Sequence, residues 1–302
     1  QTPPPSGLSP RQRVGLAIAR GIADRPPRGE LVIDDGLIAD FLGCAKVDFS
    51  ARREFVERLG LDLVTIDLGR GQGETAAHPL RQLAQWRAQS DRFIMALIDG
   101  PFSRGMVRLG FKAFMLATVR GGADLEHHLR QAAQVCLSLA LAALDSGAQG
   151  IILADDIAHN QGLLTPPDFF RQLYFPALTS PLAILAQRRV PVFFHSDGHL
   201  GPLLPDLVAA GFDGLQCLDP GAGMDLAQLK AEWGSRLCLW GNLDPDWLVG
   251  DYSRQGVETA ARAVLAAGAP GGGFIFGTSS GLFRGMRPQN LAWAYAALDQ
   301  EP

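Results

Sequence analysis

The chain has 302 residues, of which 47% are hydrophobic, and a formal net charge of −4 at pH 7. Such a chain can bury a large core and fits one α/β barrel or two ordinary domains, while its negative charge argues against nucleic acid or an anionic membrane as main partner. No apolar run reaches the ~18 residues of a membrane span, the first ten residues do not resemble a secretion signal, and the cysteines form no C-x-x-C pair, so we expect a cytoplasmic protein with reduced thiols.

Helical and strand-like patterns alternate along the sequence. Residues 1–10 are predicted to be a loose tail, and residues 11–23 an extra helix that covers the closed end of a barrel. The Ala- and Leu-rich stretch 125–144 predicts a long outer helix. Eight apolar runs predict strands: 31–35, 63–68, 93–100, 150–156, 190–197, 214–220, 237–245 and 273–280. Eight strands separated by helices at this length predict a single (β/α)8 TIM barrel over residues 11–302 with an N-terminal helical extension.

The most informative stretch is VPVFFHSDG, residues 190–198. A buried parallel strand reads as a continuous apolar run, and polarity begins here where such a strand would emerge at its carboxyl end. His195 and Asp197 are two residues apart, so they project to the same side if the strand geometry continues. Because α/β barrels keep their chemistry at this end, both residues are candidate metal ligands or proton-transfer groups.

Polar groups also follow nearly all of the remaining predicted strands, and a barrel would bring them together at one mouth. They are Asp34, Asp35, Asp67, Asp99, Asp155, Asp156, Cys217, Asp219, Asn242, Asp244 and Thr278 to Ser280. Asp and Asn are also favoured in turns and helix caps, which explains Asp35, Asp67 or Asp244 equally well. That explanation does not account for His195 or Cys217. The glycines of 268–277 precede a strand, which is the wrong side for a phosphate-binding loop.

Several long segments together resemble the uroporphyrinogen decarboxylase superfamily, in its branch of corrinoid-dependent methyltransferases. They are IDGPFSRGMVRLGFKAFM (98–115), ADDIAHNQGLLTPPDFFRQLYFPAL (154–178), FFHSDG (193–198), GFDGLQCLDPGAGMDLAQLK (211–230) and LCLWGNLDP (237–245). The resemblance implies a (β/α)8 barrel.

True decarboxylases open with an Arg-rich signature resembling R-Q-A-G-R, where this chain has LVIDDGLIADFLG. A polyanionic porphyrinogen needs cationic clamps. Decarboxylation, of uroporphyrinogen or as a related cofactor-free reaction, is therefore the alternative and not the first choice.

The resemblance also implies a zinc ion held by a pattern resembling H-x-C and by a later cysteine. Here His195 matches, Asp197 replaces the first cysteine, and Ser280 replaces the second. A neutral hydroxyl is a poor zinc ligand, so the predicted metal ligands are His195, Asp197 and Cys217, with Asp219 or His199 as other third ligands and a metal-free site as the alternative. Loss of both thiolates favours the demethylating direction, from a small O-methyl or N-methyl donor to cobalt.

The predicted catalytic residues are His195, Asp197, Asp155 and Asp156. A second group is predicted to bind substrate: Asp99, Phe102, Asp219, Asn242 and Ser280. The corrinoid-carrier pattern D-x-H-x-x-G does not occur in the sequence. We therefore expect the cobamide to be supplied by a separate corrinoid protein. A non-catalytic barrel that binds a small molecule is the second alternative.

Overall fold

A curled parallel sheet of seven strands forms the centre of the molecule. The computed structural model describes residues 7–69 and 77–299, so most of the predicted tail, residues 1–6, lies outside the described residues. The sheet order is β1-β2-β3-β6-β7-β8-β9, and β4 and β5 form a separate hairpin. The strands are β1 (Leu63–Asp67), β2 (Phe93–Asp99), β3 (Gly150–Ala154), β4 (Ala158–His159), β5 (Gly162–Leu163), β6 (Val192–His195), β7 (Gly214–Cys217), β8 (Cys238–Leu243) and β9 (Phe274–Thr278).

Helices follow the strands and cover the outer face of the sheet. They are α1 (Pro10–Ile18), α2 (Asp35–Leu42), α3 (Phe49–Arg58), α4 (Ala77–Gln89), α5 (Pro101–Leu109), α6 (Phe111–Arg120), α7 (Ala123–Asp145), α8 (Pro167–Phe169), α9 (Phe175–Gln187), α10 (Leu204–Ala210), α11 (Leu226–Trp233), α12 (Asp246–Val249), α13 (Arg254–Gly268) and α14 (Pro288–Ala296). A π-helical turn, Phe170–Tyr174, joins α8 to α9. The long outer helix predicted at 125–144 is confirmed as α7. Among the helices described, none has the length and apolar content needed to cross a bilayer.

Seven of the eight predicted strands are present, but the first one, at 31–35, is wrong. Asp34 caps α2 instead: its carboxylate accepts a hydrogen bond from the Gly36 amide at 2.7 Å, so the chain turns into a helix at Asp35. The preceding Arg28 and Gly29 make only isolated parallel bridges to β9 and β1. The observed sheet is thus a half-barrel of seven strands whose edges are linked by bridges, in place of the predicted ring of eight.

The central strands of the sheet pack between two separate apolar clusters, as β2 shows. In β2, Met95 and Leu97 pack inside the curl of the sheet, while the alternate residues Ile94, Ala96 and Ile98 pack under the outer helices. Helix α1 adds its own apolar side chains to the inner cluster, beside residues that begin strands, such as Leu63 and Phe93. The amino ends of the strands are therefore filled with apolar side chains, so the polar chemistry is confined to the carboxyl ends.

A buried carboxyl group joins the bridging segment to the end of β9. Glu30 is 1% exposed and accepts hydrogen bonds from the Thr278 amide at 3.0 Å, the Thr278 hydroxyl at 2.6 Å and the Tyr295 hydroxyl. Burial raises the pKa of Glu30 to about 7, and these three bonds oppose part of that effect. A carboxyl whose pKa is higher folded than unfolded binds its proton more tightly in the folded state.

We predict that Glu30 makes the stability of the protein decrease between acidic and neutral pH. Its contribution is fully present below the ordinary pKa of 4.5 and is lost as the pH rises through about 7. By linkage this amounts to roughly 2–3 kcal/mol of unfolding free energy. Urea unfolding at pH 4.5 and pH 8 should show a smaller difference for Glu30→Gln than for the wild type. The exposed-helix control Glu57→Gln should behave as the wild type, and an unchanged difference in Glu30→Gln would contradict the assignment.

Candidate functional site

Three side chains meet at the carboxyl edge of the sheet, and we call them the carboxylate–histidine trio: Asp156, His195 and Asp197. The His195 Nε2 atom lies 3.7 Å from Asp156 Oδ1 and 4.0 Å from Asp197 Oδ1. One possible ligand atom from each residue lies within 4.8 Å of the others. The imidazole is 4% exposed, whereas both carboxylates face solvent. The trio therefore presents one buried nitrogen and two exposed carboxylates at the mouth.

Strand pairing explains why the trio assembles. Ala154 of β3 lies opposite His195 of β6, so Asp156 and Asp197 each extend two residues beyond the same row of the sheet. The Asp197 amide also donates a hydrogen bond to Asp156 Oδ1 at 3.3 Å, which links the two loops. The sequence prediction that His195 and Asp197 lie close together is confirmed, and the structure adds Asp156 to them.

The other ring nitrogen of His195 contacts a residue that sequence reasoning did not select. The His195 Nδ1 atom lies 2.5 Å from the side-chain oxygen of Gln216, which occupies the paired position on β7. Gln216 is 1% exposed. The only sequence signal for it is an amide side chain inside the otherwise buried run GLQC, where a polar residue needs a partner.

Cys217, predicted as a metal ligand, reaches the trio through another residue. Its thiol donates a hydrogen bond to Asp197 Oδ1 at 3.1 Å and is 1% exposed. Burial and the neighbouring Asp197 carboxylate raise the pKa of this thiol well above its usual range. In this arrangement the thiol keeps its proton and orients Asp197. The group of closely spaced ligand atoms found among the described residues contains Asp156 in place of Cys217.

Asp155, predicted to be catalytic, lies inside the protein and anchors helix α5. Its carboxylate accepts hydrogen bonds from the Phe102 and Ser103 amides, at 3.0 and 2.7 Å, and from the Tyr174 hydroxyl at 2.7 Å. Burial raises the pKa of Asp155 to about 6, against the effect of these bonds. The residue thus fixes the first turn of α5 and the π-helical turn beside the mouth.

Asp99 and Phe102, predicted to bind substrate, flank the start of α5. Asp99 is 9% exposed at the end of β2, and its carbonyl accepts a hydrogen bond from Arg104 Nε at 2.9 Å. The Phe102 ring is fully buried and packs edge-on against Phe114, with ring centres 4.9 Å apart. The Phe102 ring therefore lies in the core, on the buried side of α5.

The other predicted substrate-binding residues mostly hold the loops of the mouth. Asn242 is 8% exposed, and its side-chain amide donates to the Leu218 carbonyl. The Asp219 carboxylate accepts from the Gly221 amide at 2.9 Å and remains partly exposed. The Ser280 hydroxyl donates to a neighbouring carbonyl at 3.2 Å. Asn242 and Asp219 shape the loop after β7.

Negative charge accumulates at this edge of the sheet. Burial first, and then the nearby carboxylates of Asp244 and Asp197, raise the pKa of Asp219. Like charges that are close together disfavour each other's ionised form. The mouth is therefore suited to a cation or a neutral molecule and poorly suited to a polyanion.

We predict that the adjacent substitutions Asp155→Ala and Asp156→Ala differ strongly in their effect on stability. Removing the buried Asp155 leaves three donors without an acceptor, so the unfolding free energy should fall by about 2–4 kcal/mol. Removing the exposed Asp156 should change it by no more than about 0.5 kcal/mol. Urea unfolding at pH 7.5 measures both. Equal losses in the two variants would contradict the anchoring role of Asp155.

A methyltransferase from Methanosarcina mazei has a similar fold. The two structures superpose with a TM-score of 0.78 at 18% identity, over 97% of this chain and 99% of the other. An AP endonuclease of family 2 from Brucella melitensis is more distant, with a TM-score of 0.50 at 13% identity. At these identities the likeness concerns the fold alone.

Sequence relatives point to one family. The uroporphyrinogen decarboxylase of Thioalkalivibrio sulfidiphilus is 31% identical over 55% of this chain and 46% of its own length. That of Vibrio cholerae is 28% identical over 64% of this chain and 52% of its own length. The chain thus spans about half the length of the curated relatives that it matches. The model of the uroporphyrinogen decarboxylase (URO-D) family matches residues 81–300, and the chain therefore belongs to this family.

Proposed function

We propose that the protein is a corrinoid-dependent methyltransferase, which moves a methyl group from a small O-methyl or N-methyl donor to the cobalt of a separate corrinoid protein. The observation that carries the proposal is the carboxylate–histidine trio. It places a nitrogen ligand and two oxygen ligands at the carboxyl edge of the sheet, where a donor can enter. The fold shared with the Methanosarcina mazei methyltransferase supports the same assignment.

The donor set of the trio fits a zinc ion. Zinc in catalytic sites takes three protein ligands from His, Asp, Glu and Cys at about 2.0–2.3 Å and keeps one position open. The three ligand atoms lie within 4.8 Å of one another, and both carboxylates are exposed, so an ion can reach them from solvent. His195, Asp156 and Asp197 would hold the metal, and Cys217 would orient Asp197 from behind.

Demethylation leaves an electron pair on the oxygen or nitrogen that loses its methyl group. Attack by cobalt(I) forms the carbon–cobalt bond as the carbon–heteroatom bond breaks, and the leaving atom must then take up a proton or a cation. When bound, zinc would supply a Lewis acid for that atom. The carboxylates of the trio would hold this proton or cation next to the leaving atom, where negative charge develops. A site of oxygen and nitrogen ligands suits such donors better than a soft sulfur acceptor.

Decarboxylation of a porphyrinogen is the second candidate, because the sequence relatives carry that name. Its substrate is a polyanion and requires several cations in the pocket. The acidic surroundings of Asp219 and the trio oppose such a substrate. The two candidate functions therefore require substrates of different charge. An assay with both kinds of substrate distinguishes them.

We predict that His195→Ala abolishes methyl transfer. The purified protein is incubated with cob(I)alamin and a panel of methoxylated aromatic compounds and methylamines, and methylcobalamin is followed by its absorption. Loss of the imidazole should lower the rate at least 100-fold. Because His195 is buried against Gln216, the unfolding free energy should also fall by about 1–3 kcal/mol, so circular dichroism must show that the variant is folded under the assay conditions. His127→Ala, on the exposed face of α7, is the matched control.

Metal analysis completes this experiment. We expect about one zinc ion per wild-type chain and its loss in Asp156→Ala and Asp197→Ala. Full turnover by His195→Ala would remove this residue from the mechanism. Release of carbon dioxide from uroporphyrinogen, without methyl transfer to cobalt from any donor, would establish the second candidate instead.

A partner that carries the corrinoid needs a docking surface beside the mouth. Helix α5 starts two residues after β2 ends, and with α6 it exposes an apolar surface. This α5–α6 surface comprises Val107, Phe111, Leu116 and Val119, each 46–69% exposed. Residues 101–120 also contain four cations and no acid, in a chain whose net charge is −4. Exposed apolar area next to cations suits an acidic protein surface, and we assign it to the corrinoid protein.

We predict that the double variant Phe111→Asp and Val119→Asp separates docking from chemistry. Methyl transfer to free cob(I)alamin should stay within twofold of the wild type, because the trio is unchanged. Transfer to a purified corrinoid protein that the wild type uses should slow at least tenfold through a higher KM. Val249→Asp, at an exposed valine of α12, is the control. Equal rates with the protein-bound corrinoid would contradict docking on the α5–α6 surface.

A further inference from the structure

We infer that Gln216 is a positioning residue for His195: it holds the proton on Nδ1, so that Nε2 presents its lone pair between Asp156 and Asp197. The inference deepens the proposed function, because it concerns the same site. It rests on the contact between two side chains and is tested on the protein without turnover.

The contact is direct and fully enclosed. Gln216 and His195 occupy paired positions on the neighbouring strands β7 and β6, so their side chains stand next to each other on the sheet. The Gln216 oxygen and His195 Nδ1 lie 2.5 Å apart, and the two residues are 1% and 4% exposed. Water does not compete for this bond, so its geometry governs the ring.

The chemistry of the amide decides which nitrogen carries the proton. A carboxamide oxygen can only accept a hydrogen bond, so the nitrogen opposite it must be the donor. In the neutral imidazole one nitrogen is protonated and the other has a lone pair. With the proton on Nδ1, the lone pair is on Nε2, which faces the carboxylates of Asp156 and Asp197. This is the arrangement that a cation or an acidic proton requires.

The orientation of the Gln216 amide leaves its nitrogen without a hydrogen bond within the described part of the chain. Its nitrogen is buried and has no hydrogen-bond partner among the described residues. A buried donor without an acceptor is unfavourable, so the amide keeps this orientation because of the bond that its oxygen makes. An amide in a buried strand with one half unsatisfied is hard to explain as packing alone, since leucine would fill the same space without this cost.

The backbone of β7 supports the same interpretation. Consecutive strand residues normally point to opposite faces, yet Gln216 contacts His195 and the next residue, Cys217, contacts Asp197. Cys217 has a φ of 99°, in a region that non-glycine residues rarely adopt. Strained backbone of this kind persists where the surrounding structure requires it, often at functional sites. Here the strained backbone allows two successive side chains, Gln216 and Cys217, to contact members of the same trio.

The experiment combines a spectroscopic and a binding measurement. Long-range 1H–15N correlation spectra of protein labelled with 15N-histidine report the tautomer of each of the six histidines, and His195→Ala identifies the signal of His195. Competition with a chelator measures the affinity for Zn2+ alone. The variants are Gln216→Leu, which removes the acceptor, and Gln216→Glu, which keeps an oxygen opposite Nδ1. Gln149→Leu, the same change beside the amino end of β3, is the control.

We expect the wild type to carry the proton on Nδ1, and Gln216→Leu to lose this preference and bind Zn2+ 10- to 100-fold more weakly. Gln216→Glu and Gln149→Leu should keep the Nδ1 proton, and Gln149→Leu should bind zinc as the wild type does. A wild-type proton on Nε2 would overturn the inference, as would an unchanged tautomer in Gln216→Leu. If the wild type does not bind zinc but Gln216 still controls the tautomer, the positioning role stands and the zinc part of the proposed function fails.

Discussion

The site depends on the register between three parallel strands. Ala154 of β3, His195 of β6 and Gln216 of β7 lie in one row of the sheet. This row places the imidazole of His195 against the amide of Gln216. Asp156 and Asp197 each lie two residues beyond the row, at the mouth, where they face His195. A shift of one residue in either pairing would turn His195 to the opposite face. The apolar side chains that fill both faces of these strands therefore fix the chemistry as well as the fold, because they allow only one register.

Backbone strain occurs at the end of β7, next to the site. Cys217 and Leu218 both have positive φ, at 99° and 58°. Such conformations cost of order 1–3 kcal/mol each in non-glycine residues. Two features of β8 accommodate them: a side chain at Gly241 would come within 2.2 Å of the Cys217 carbonyl, and the Asn242 amide donates to the Leu218 carbonyl. Asn242 thus contributes to the site by holding the strained loop, and this role differs from the direct substrate contact predicted from the sequence.

The sequence predicts those parts of the structure that are local. An apolar run that ends in His-Ser-Asp identifies a buried strand with polar groups at its mouth, and β6 confirms it. The same reasoning fails at residues 31–35, where the apolar run is followed by an Asp that caps a helix, and both patterns are compatible with Leu-Val-Ile-Asp-Asp. The adjacent Asp155 and Asp156 were predicted to share a role, yet one is buried and the other exposed. Their separation depends on where α5 packs, and the contact of Gln216 depends on the neighbouring strand, so neither can be read from local pattern.

Charge connects the structure of the mouth to the choice between functions within this family. Asp197 lies near Asp156 and His195. The pKa of Asp219 is raised first by burial and then by the carboxylates of Asp244 and Asp197. Carboxylates brought together in this way repel one another, and the repulsion is relieved only by protonation or by a cation. A divalent ion or a cationic donor would relieve the repulsion and be bound more tightly for that reason, whereas a polyanionic substrate would increase it. The negative charge of the mouth therefore favours a bound cation and opposes a polyanion, and this is the difference in charge preference between the two proposed functions.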